Sequence, residues 1–421
     1  MRGRGAVDEG WRAGVSRVAF FVSAFHPSLG GVEELVRQLA LEYQRRGVAV
    51  VVVTNRWPRN LPACEWIEGI RVLRFAFRMP DGLWRAKLGF YLTAATIFRK
   101  VLRHMADFNP DVVHVQCVSA NGWYAVRVAE ALRIPLVVSA QGERTMDAQR
   151  IYERSPVMNR VLLRVLRAAD RVTACSQASL EDLVRYDPVG VDRATARVVY
   201  NGIGREAFGA EAKGGVGKPF LLALGRLVPQ KGFDTLLKAF AASRLATVEL
   251  VLAGDGVEFD RLVALKEELG LGGKVRMVGR VDRAGVHALM RESVGVLVPS
   301  LREPMGIVVL EALAAGKPLA VSGVDGILEV IPTSEAVRVV PPGNVPQWAE
   351  AVLWLAGFGA GGCLEEHVHH ARRFCWETIV DQYFGIYADC LRDRAPRLRP
   401  ETNGASNQER IHGDAVTVTG C

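Results

Sequence analysis

Two glutamates eight positions apart, Glu303 and Glu311, lie in the part of the sequence best suited to chemistry. An apolar run ends at Val298, a polar loop then carries Glu303, and a helical pattern is predicted to begin near Pro304. Proline suits the first position of a helix, where its missing N–H group costs no hydrogen bond. The main-chain N–H groups of Met305, Gly306 and Ile307 would then mark the N-terminus of this helix, where anions such as a pyrophosphate bind. The segment therefore predicts an anion site with two carboxylates nearby.

A second polar loop, Gly225-Arg226-Leu227-Val228-Pro229-Gln230-Lys231-Gly232, directly follows the predicted strand Phe220–Leu224. Its two cations, Arg226 and Lys231, are five residues apart and lie between glycines. Cations at a strand end can flank a diphosphate and neutralise the negative charge of a leaving group. Such a loop is by itself a common surface feature, but its combination with the Glu303 segment favours an anion-binding role.

Gly30 and Gly31 follow the first predicted strand, Val18–Phe25, and precede a predicted helix. Glycine at such a turn lets a ligand approach the main chain at a helix N-terminus. His26 lies just before these glycines, and whether it faces a ligand stays open. The turn lacks the G-x-G-x-x-G pattern of dinucleotide-binding proteins, so by itself it indicates no more than a glycine-rich turn.

Short apolar runs alternate with amphipathic stretches along most of the chain, as buried parallel strands alternate with crossover helices. This alternation predicts an α/β fold with two Rossmann-like parallel-sheet domains facing each other across a cleft at the carboxyl ends of the strands. A glycine-rich break at 202–218 predicts a hinge. We expect an N-terminal domain at 16–204, a C-terminal domain at 216–374, a C-terminal helix at 375–394, and mobile tails at 1–15 and 395–421.

The composition of the chain is that of a globular protein, with 421 residues, 49% of them hydrophobic and 23% charged. The seven cysteines form no C-x-x-C pair, which favours reduced thiols in a cytoplasmic protein over a disulfide framework or a zinc cluster. No apolar run approaches the ~20 residues that a membrane span needs. The net charge of +8 comes from the first half, and both an anionic partner and a solvated basic surface could explain it.

Taken in order, these motifs resemble glycosyltransferase family 4, a large family of retaining transferases with the GT-B fold, over about residues 17–392. The most specific match is the Glu-x7-Glu pattern of Glu303 and Glu311. The supporting matches are Gly30-Gly31, Asn201-Gly202-Ile203, Gly225-Arg226, Lys231-Gly232, Gly254-Asp255-Gly256, Gly279, the stretch Ala314–Ala320 and Pro341-Pro342-Gly343-Asn344. Residues 374–387 resemble the final helix of the family, which crosses back to the N-terminal domain.

The resemblance implies an enzyme that moves a sugar from a nucleotide-sugar, with UDP or GDP expected, to a glycan or lipid-linked acceptor of a cell-surface polysaccharide or glycolipid. It implies catalytic roles for Glu303 beside the sugar and for Arg226 and Lys231 on the diphosphate. The donor-binding residues would be Gly31, Gly30, Gly225, Arg280 near the base, Met305, Gly306, Ile307 and Glu311 on the ribose, and the candidates for sugar or acceptor contact are Gln141 and His26. The family is thought to react by departure and attack on one face of the sugar, without a covalent nucleophile. The chain has no Asp-x-Asp motif, so neither a metal nor another cofactor is expected, and no nucleic acid is expected as a partner.

Three positions depart from the family pattern. Gln116 and Gln141 stand where members often carry histidine, and glutamine offers hydrogen bonds but cannot hold a proton. The segment Val324-Asp325-Gly326-Ile327-Leu328-Glu329 stands where a pair of glycines is more usual, so the loop that faces the sugar is expected to differ. These changes bear on the donor preference and the rate of the reaction.

The stretch from Arg78 to His104 is basic and aromatic. It could be an amphipathic helix on an anionic membrane or a solvated helix covering the first sheet. Because members of the family with lipid-linked acceptors often dock on membranes, we favour the first interpretation, which places the protein peripherally at the inner face of the membrane.

The cluster of His367, His369 and His370 could bind a metal, but its charged neighbours favour an exposed helix face instead. Two other functions stay open beside the transferase: another GT-B enzyme, an epimerase or a phosphorylase, and a non-catalytic nucleotide-sugar-binding protein. An epimerase would lack an acceptor site and is not expected to combine the Glu-x7-Glu pattern with the Arg/Lys pair. Glutamine at 141 makes the non-catalytic protein conceivable.

Overall fold

The computed structural model describes residues 14–28, 30–79, 84–144, 151–208, 218–358 and 363–394, without the side chains of residues 84–87 and 91. Most of the two expected tails, residues 1–13 and 395–421, and residues 209–217 of the expected hinge lie outside these ranges. The chain forms two compact units: unit 1 comprises residues 1–138, 168–171 and 383–421, and unit 2 comprises residues 139–167 and 172–382. The domain boundaries at 204 and 216 stay a prediction.

The strands of the described ranges form two sheets. Those of the first are β1 (Arg17–Val22), β2 (Ala49–Asn55), β3 (Cys64–Ile67), β4 (Ile70–Phe75), β5 (Val112–Gln116), β6 (Leu136–Ala140), β7 (Arg171–Ala174) and β8 (Arg197–Val198), in the order β3-β4-β2-β1-β5-β6-β7-β8. Those of the second are β9 (Phe220–Leu224), β10 (Glu249–Ala253), β11 (Val275–Gly279), β12 (Gly295–Val298), β13 (Leu319–Ser322) and β14 (Val337–Val340), in the order β11-β10-β9-β12-β13-β14. All neighbours in the second sheet are parallel.

The helices found in the same ranges are α1 (Gly31–Arg45), α2 (Trp84–Phe108), α3 (Ala120–Leu132), α4 (Ile151–Arg154), α5 (Pro156–Ala168), α6 (Gln177–Tyr186), α7 (Phe233–Ser243), α8 (Phe259–Glu268), α9 (Arg283–Glu292), α10 (Ile307–Ala314), α11 (Ile327–Val330), α12 (Val345–Ala356), α13 (Glu365–Ala371) and α14 (Trp376–Arg394). Three short 3-10 helices span Arg205–Ala207, Pro229–Lys231 and Arg372–Phe374. Where the structure describes the chain, none of these helices is long and apolar enough to cross a bilayer.

The second sheet is buried on both faces, which explains its apolar strands. Along β9, Leu221 and Ala223 belong to the core that includes Phe240 of α7 and Trp348 of α12. Leu222 between them belongs to the opposite core, which includes Leu310 of α10. This alternation of faces within a fully apolar strand is typical of parallel sheets covered by helices.

The predicted alternation of strands and helices in two parallel α/β sheets is confirmed. Two elements were not predicted from the sequence. The strand β3 pairs antiparallel with β4 in a hairpin at the edge of the first sheet, and its residues are only partly buried, so no apolar run marks it. The helix α12 follows β14 in a region where no helix was predicted.

Within unit 1, a buried hydrogen-bonded chain joins α1, β5 and the second half of α14. The Nδ1 atom of His114 lies 2.6 Å from the hydroxyl of Tyr387, which lies 2.9 Å from the hydroxyl of Tyr43. The side-chain amide of Gln116 lies 3.2 Å from Nε2 of the same imidazole. His114 and Gln116 are both fully buried, so the glutamine at this departure from the family pattern is a partner of a core histidine.

Acidification should destabilise the protein through His114. Burial lowers the pKa of His114 to about 3, whereas an imidazole in the unfolded chain titrates near 6.5. Below about pH 6.5 the unfolded state therefore binds the proton first, so the stability that neutral His114 contributes at higher pH is lost as the pH falls towards 3. Between about pH 7.5 and about pH 5.5 this loss should be about 1.4 kcal/mol.

Urea unfolding of the native protein and of His114→Gln at both pH values measures this effect. The variant keeps the other histidines, so the difference between the two pH dependences isolates His114. An equal loss of stability in both proteins would contradict the prediction.

Candidate active site

Five loops of unit 2 leave the second sheet at the same edge, because the strands β9 to β13 that precede them are all parallel. The loop 225–232 follows β9 and the loop 299–306 follows β12, and these two strands are neighbours at the centre of the sheet. The loop 323–326 follows β13 on the other side of β12. The predicted anion-binding residues of this half are thus gathered at one edge.

Glu303 is held by two side chains. Lys231 Nζ forms an ion pair with Glu303 Oε2, and the hydroxyl of Ser300 donates to the same oxygen at 3.0 Å. Only 7% of Glu303 and 1% of Ser300 are exposed. The charge of this nearly buried carboxylate is therefore compensated inside the protein, as a buried charge requires.

Main-chain contacts fix the distance between the Lys231 loop and the Glu303 loop. The N–H group of Leu301 donates to the carbonyl of Gln230 at 2.7 Å. Gly232 adopts the left-handed φ of +65°, and a Cβ atom there would overlap the carbonyl of Pro299. The ion pair thus rests on a close approach of two backbones that only glycine permits at this position.

The helix α10 begins at Ile307, so the prediction that it starts near Pro304 is wrong. Gly306 precedes the helix with a left-handed φ of +93°. Gly326 lies so near that a Cβ atom on it would overlap the carbonyl of Pro304 and crowd Met305. Because the left-handed Gly306 is the N-cap, the N–H groups that lack helical partners begin at Ile307.

Met305, one of the predicted donor-binding residues, has a buried side chain. It is 2% exposed, and its sulfur accepts a hydrogen bond from the main-chain N–H of Asn201 at 3.0 Å. Any contact of Met305 with a ligand would therefore have to come from its main chain.

A clamp joins the Glu303 loop to the loop after β13. Oδ2 of Asp325 accepts hydrogen bonds from the main-chain N–H of Glu303 at 3.0 Å and from Nε of Arg302 at 2.9 Å. In the opposite direction, the N–H of Gly326 donates to the carbonyl of Glu303 at 3.1 Å. Asp325 has a left-handed φ of +39°, which suits the glycine usual here but which aspartate also tolerates.

Glu311, on the second turn of α10, is 4% exposed and forms an ion pair with Arg283. Nη1 of Arg283 donates to Oε1 of Glu311, while its Nη2 lies 3.7 Å from Oε1 of Glu206. Arg283 thus lies between a buried and a half-exposed carboxylate.

The remaining predicted cations, Arg226 and Arg280, are exposed at the ends of β9 and β11. Gly225 has a φ of +149°, and a Cβ atom on Gly254 would overlap its carbonyl. The N–H of Gly254 in turn donates to the carbonyl of Gly279 at 2.7 Å. The loop after β10 therefore contacts both the loop of Arg226 and the loop of Arg280.

Gln141 belongs to unit 2 and lies near the Glu303 loop. Its Oε1 accepts a hydrogen bond from the side chain of Asn201 at 2.9 Å. Gly142 has a φ of +80°, and a Cβ atom on it would overlap the ring of Pro304. Gln141 is therefore the neighbour of a glycine that packs against Pro304, the residue that follows Glu303.

The predicted residues Gly30, Gly31 and His26 belong to unit 1. Gly30 is the extended N-cap of α1, and Gly31 is exposed with open space where a Cβ atom would be. Nε2 of His26 lies 3.8 Å from Oε2 of Glu34, and burial lowers the pKa of His26.

The prediction that the histidine cluster lies on an exposed helix face is wrong for His367. This side chain is fully buried because α13 packs against α10. Its Nδ1–H donates to the carbonyl of Lys317 at 2.8 Å, and its Nε2 lies 3.1 Å from the hydroxyl of Ser334. Over the ranges that the structure covers, no group of three or more His, Cys, Asp or Glu side chains is arranged to hold a metal ion.

Two side chains of this site were missed in the sequence. Ser300 stands three positions before Glu303 at the start of the same loop, a spacing that could have drawn attention to it. Arg283 is 28 positions from Glu311 and lies on another helix. No pattern of neighbouring residues therefore indicates that the two side chains pair.

Comparisons with known proteins bear on the family of the chain. The family model for Glycosyltransferase Family 4 matches residues 29–206, and the model for glycosyl transferases group 1 matches residues 207–356. A D-inositol 3-phosphate glycosyltransferase of Mycobacteroides abscessus is 27% identical over 402 residues, which cover 90% of this chain and 88% of the relative. The glycogen synthase of Mycobacterium tuberculosis is 27% identical over 405 residues, which cover 88% of this chain and 94% of the relative.

Solved structures show the same fold. A sucrose-phosphate synthase of Thermosynechococcus elongatus matches with a TM-score of 0.72 and 21% identity, covering 90% of this chain and 100% of that one. HepE of Anabaena, in complex with UDP and glucose, matches with a TM-score of 0.70 and 21% identity, covering 89% of this chain and 100% of that one. These likenesses confirm the predicted GT-B fold.

The clamp at Asp325 should stabilise unit 2. Asp325→Ala removes the acceptor for the N–H of Glu303 but keeps a side chain in the left-handed conformation, so the free energy of unfolding should fall by about 1–2 kcal/mol. Asp325→Asn keeps an acceptor oxygen and should lose less than half of this. Thermal or urea unfolding measures the effect.

Arg302→Ala is the matched control, because it removes only the partly exposed ion pair and leaves the hydrogen bond between Asp325 and Glu303 in place. It should cost less than about 1 kcal/mol. An Asp325→Ala protein as stable as the native one would show that the clamp contributes nothing.

Proposed function

Since the chain belongs to glycosyltransferase family 4 and is a glycosyltransferase, we propose that it moves a sugar from a nucleotide-sugar to a glycan or lipid-linked acceptor with retention of the anomeric configuration. The ordered motifs predicted this family, and the prediction is confirmed. We further propose that the product belongs to a cell-surface polysaccharide or glycolipid, and that the reaction takes place in the cytoplasm.

The observation that supports this function most is the ion pair between Lys231 and Glu303 at adjoining strand ends. In the proposed site Glu303 lies beside the transferred sugar, where its negative charge stabilises the positive charge that develops at the anomeric carbon. Lys231 lies between this carboxylate and the diphosphate and stabilises the charge of the leaving group, together with Arg226. One cation thus links the two centres of charge that separate as the bond breaks.

Hydrogen bonding lowers the nucleophilicity of one oxygen of Glu303. Its Oε2 already accepts from Lys231 and Ser300, and donors of this kind stabilise the charged carboxylate and hold it in place. This supports the proposed mechanism, in which departure and attack occur on one face of the sugar and no covalent intermediate forms on the protein. We propose that positive side chains and the N-terminus of α10 neutralise the diphosphate, without a metal.

The nucleotide would lie along the same edge of the sheet. In this proposal Glu311 binds the ribose, the loop of Arg280 borders the base, and the main chain at Gly306 and Ile307 faces the diphosphate. Gln141 would contact the sugar, since its loop touches Pro304.

UDP and GDP are the expected nucleotides. The UDP and glucose found in the HepE structure support a UDP-sugar as the first donor to test. The named acceptors of the relatives, an inositol phosphate and glycogen, differ from each other, so the acceptor has to be found by assay.

The exposed side chains of helix α2 support the proposal that the protein binds peripherally to an anionic membrane. Leu88 and Leu92 are 49% and 70% exposed, four residues apart on one face. The basic residues Arg99, Lys100 and Arg103 are exposed further along the helix. Apolar side chains beside basic ones are the combination that binds the surface of anionic bilayers.

Lys231→Ala and Glu303→Gln should separate donor binding from transfer. In a thermal-shift screen with UDP-, GDP- and ADP-sugars, a donor that binds the native protein raises its melting temperature. Lys231→Ala should weaken binding of that donor about ten- to a hundredfold, the effect of losing one charge-assisted contact. Glu303→Gln should still bind the donor but lose transfer or donor hydrolysis by about a hundredfold or more.

Lys238→Ala is the matched control, because Lys238 lies on α7 and pairs with Asp234 on the solvent side. It should behave like the native protein. Full donor affinity in Lys231→Ala, or full activity in Glu303→Gln, would overturn the proposed site.

Replacing both Leu88 and Leu92 by serine should weaken binding to vesicles of phosphatidylglycerol and phosphatidylcholine by about tenfold or more, since each leucine would bury its side chain among the lipids. Co-sedimentation measures the binding, and vesicles of phosphatidylcholine alone test the need for negative charge. The control replaces Val189 and Leu353 of unit 2 by serine in the same way, since these residues are 82% and 48% exposed. Equal binding by both double variants would exclude α2 as the contact.

A further inference from the structure

The ion pair between Arg283 and Glu311 joins two segments that the proposed function places at different parts of the nucleotide. Glu311 lies on α10, and Arg283 is the first residue of α9. Arg280, expected to border the base, stands three residues before Arg283, in the loop that leads into α9. Asp282, the N-cap of α9, accepts the N–H of Gly285 at 2.8 Å and so fixes the turn from which Arg283 extends.

Glu311 is buried, so its negative charge has to be compensated by a cation. The residue is 4% exposed, and a buried carboxylate is costly unless a positive group compensates it. Arg283, whose side chain is 36% exposed, supplies this cation. Its planar fork contacts Oε1 of Glu311 with one terminal nitrogen and approaches Glu206 with the other. The Glu311 carboxylate is therefore restrained in rotation as well as neutralised.

A restrained carboxylate suits a pair of neighbouring hydroxyl groups. A carboxylate accepts about four hydrogen bonds, so the ribose hydroxyls can be bound beside the arginine rather than in its place. Binding of both hydroxyls depends on the orientation of the carboxylate, and an unrestrained one would have to be ordered on binding.

We propose that Arg283 is a positioning residue that orients and neutralises Glu311 for recognition of the ribose hydroxyls of the donor. The proposal rests on the proposed function, because it requires a nucleotide donor at this edge of the sheet. Arg283 acts through Glu311 and makes no contact with the transferred sugar. Its loss therefore weakens the preference for ribose over 2′-deoxyribose, and not only the overall affinity.

The test compares nucleotides that differ in one hydroxyl group. The probes are UDP, GDP and ADP with their 2′-deoxy counterparts, and calorimetry on the full chain gives a dissociation constant for each. For the nucleotide that binds the native protein best, the ribose form should bind about ten- to a hundredfold more tightly than the deoxy form, as expected for one hydrogen bond to a charged group. Glu311→Gln should reduce this ratio, and Arg283→Ala should reduce it by about fivefold or more.

Two further variants distinguish positioning from a general loss of structure. In the Glu311→Gln background, Arg283→Ala should leave the ratio unchanged, because a residue that acts through Glu311 has nothing left to orient. Arg283→Lys keeps the charge but not the planar fork and should restore the ratio only in part. Arg291→Ala, on the last turn of the same helix, is the control and should match the native protein.

The outcomes separate this proposal from the one on which it rests. Binding of none of the six nucleotides by the native protein would overturn both. If the native protein binds and discriminates, but Arg283→Ala weakens the ribose and deoxyribose forms equally, then only the role of Arg283 is overturned. An effect of Arg283→Ala on the ratio that persists in the Glu311→Gln background would likewise overturn it, since Arg283 would then act on the ribose without Glu311.

Discussion

A carboxylate removed from water needs a cation beside it, and the edge of the second sheet satisfies this requirement twice. Glu303 and Glu311 are 7% and 4% exposed, and each is paired with a basic side chain from a different strand end or helix. An unpaired carboxylate at either place would cost several kcal/mol, on the order of the whole stability of a domain. The partners Lys231 and Arg283 are therefore as necessary to the fold of this edge as to any ligand.

The two pairs differ in the kind of cation, and the difference fits the two parts of a nucleotide-sugar. Lysine is a compact charge on a flexible chain, so Lys231 can remain near Glu303 and still turn towards a diphosphate. Arginine is a rigid planar fork, so Arg283 fixes the direction in which Glu311 faces. In the proposed site, the leaving diphosphate and the ribose hydroxyls are thus served by two different cations with the same electrostatic task.

The sequence predicted the elements that are determined locally. The apolar runs at β9 and β12 marked parallel strands because both of their faces are buried, and the loops that follow them held Lys231 and Glu303 where the motifs indicated. The features that depend on distant contacts could not be predicted in this way. The helix α10 starts at Ile307, after Gly306 in a left-handed conformation and beside the close approach of Gly326, and His367 is buried because α13 packs on α10.

Asp325 shows how such distant contacts determine the position of Glu303, the proposed catalytic group. A side chain at a φ of +39° is less favourable than glycine by about 1 kcal/mol, yet its carboxylate binds the N–H of Glu303 and the side chain of Arg302. Those bonds offset the cost of the backbone conformation, and they connect the Glu303 loop to the strand end of β13 rather than to β12 alone. Glu303 is therefore held from three directions, by Lys231, Ser300 and Asp325, so a change in any of the three loops alters the position of its carboxylate.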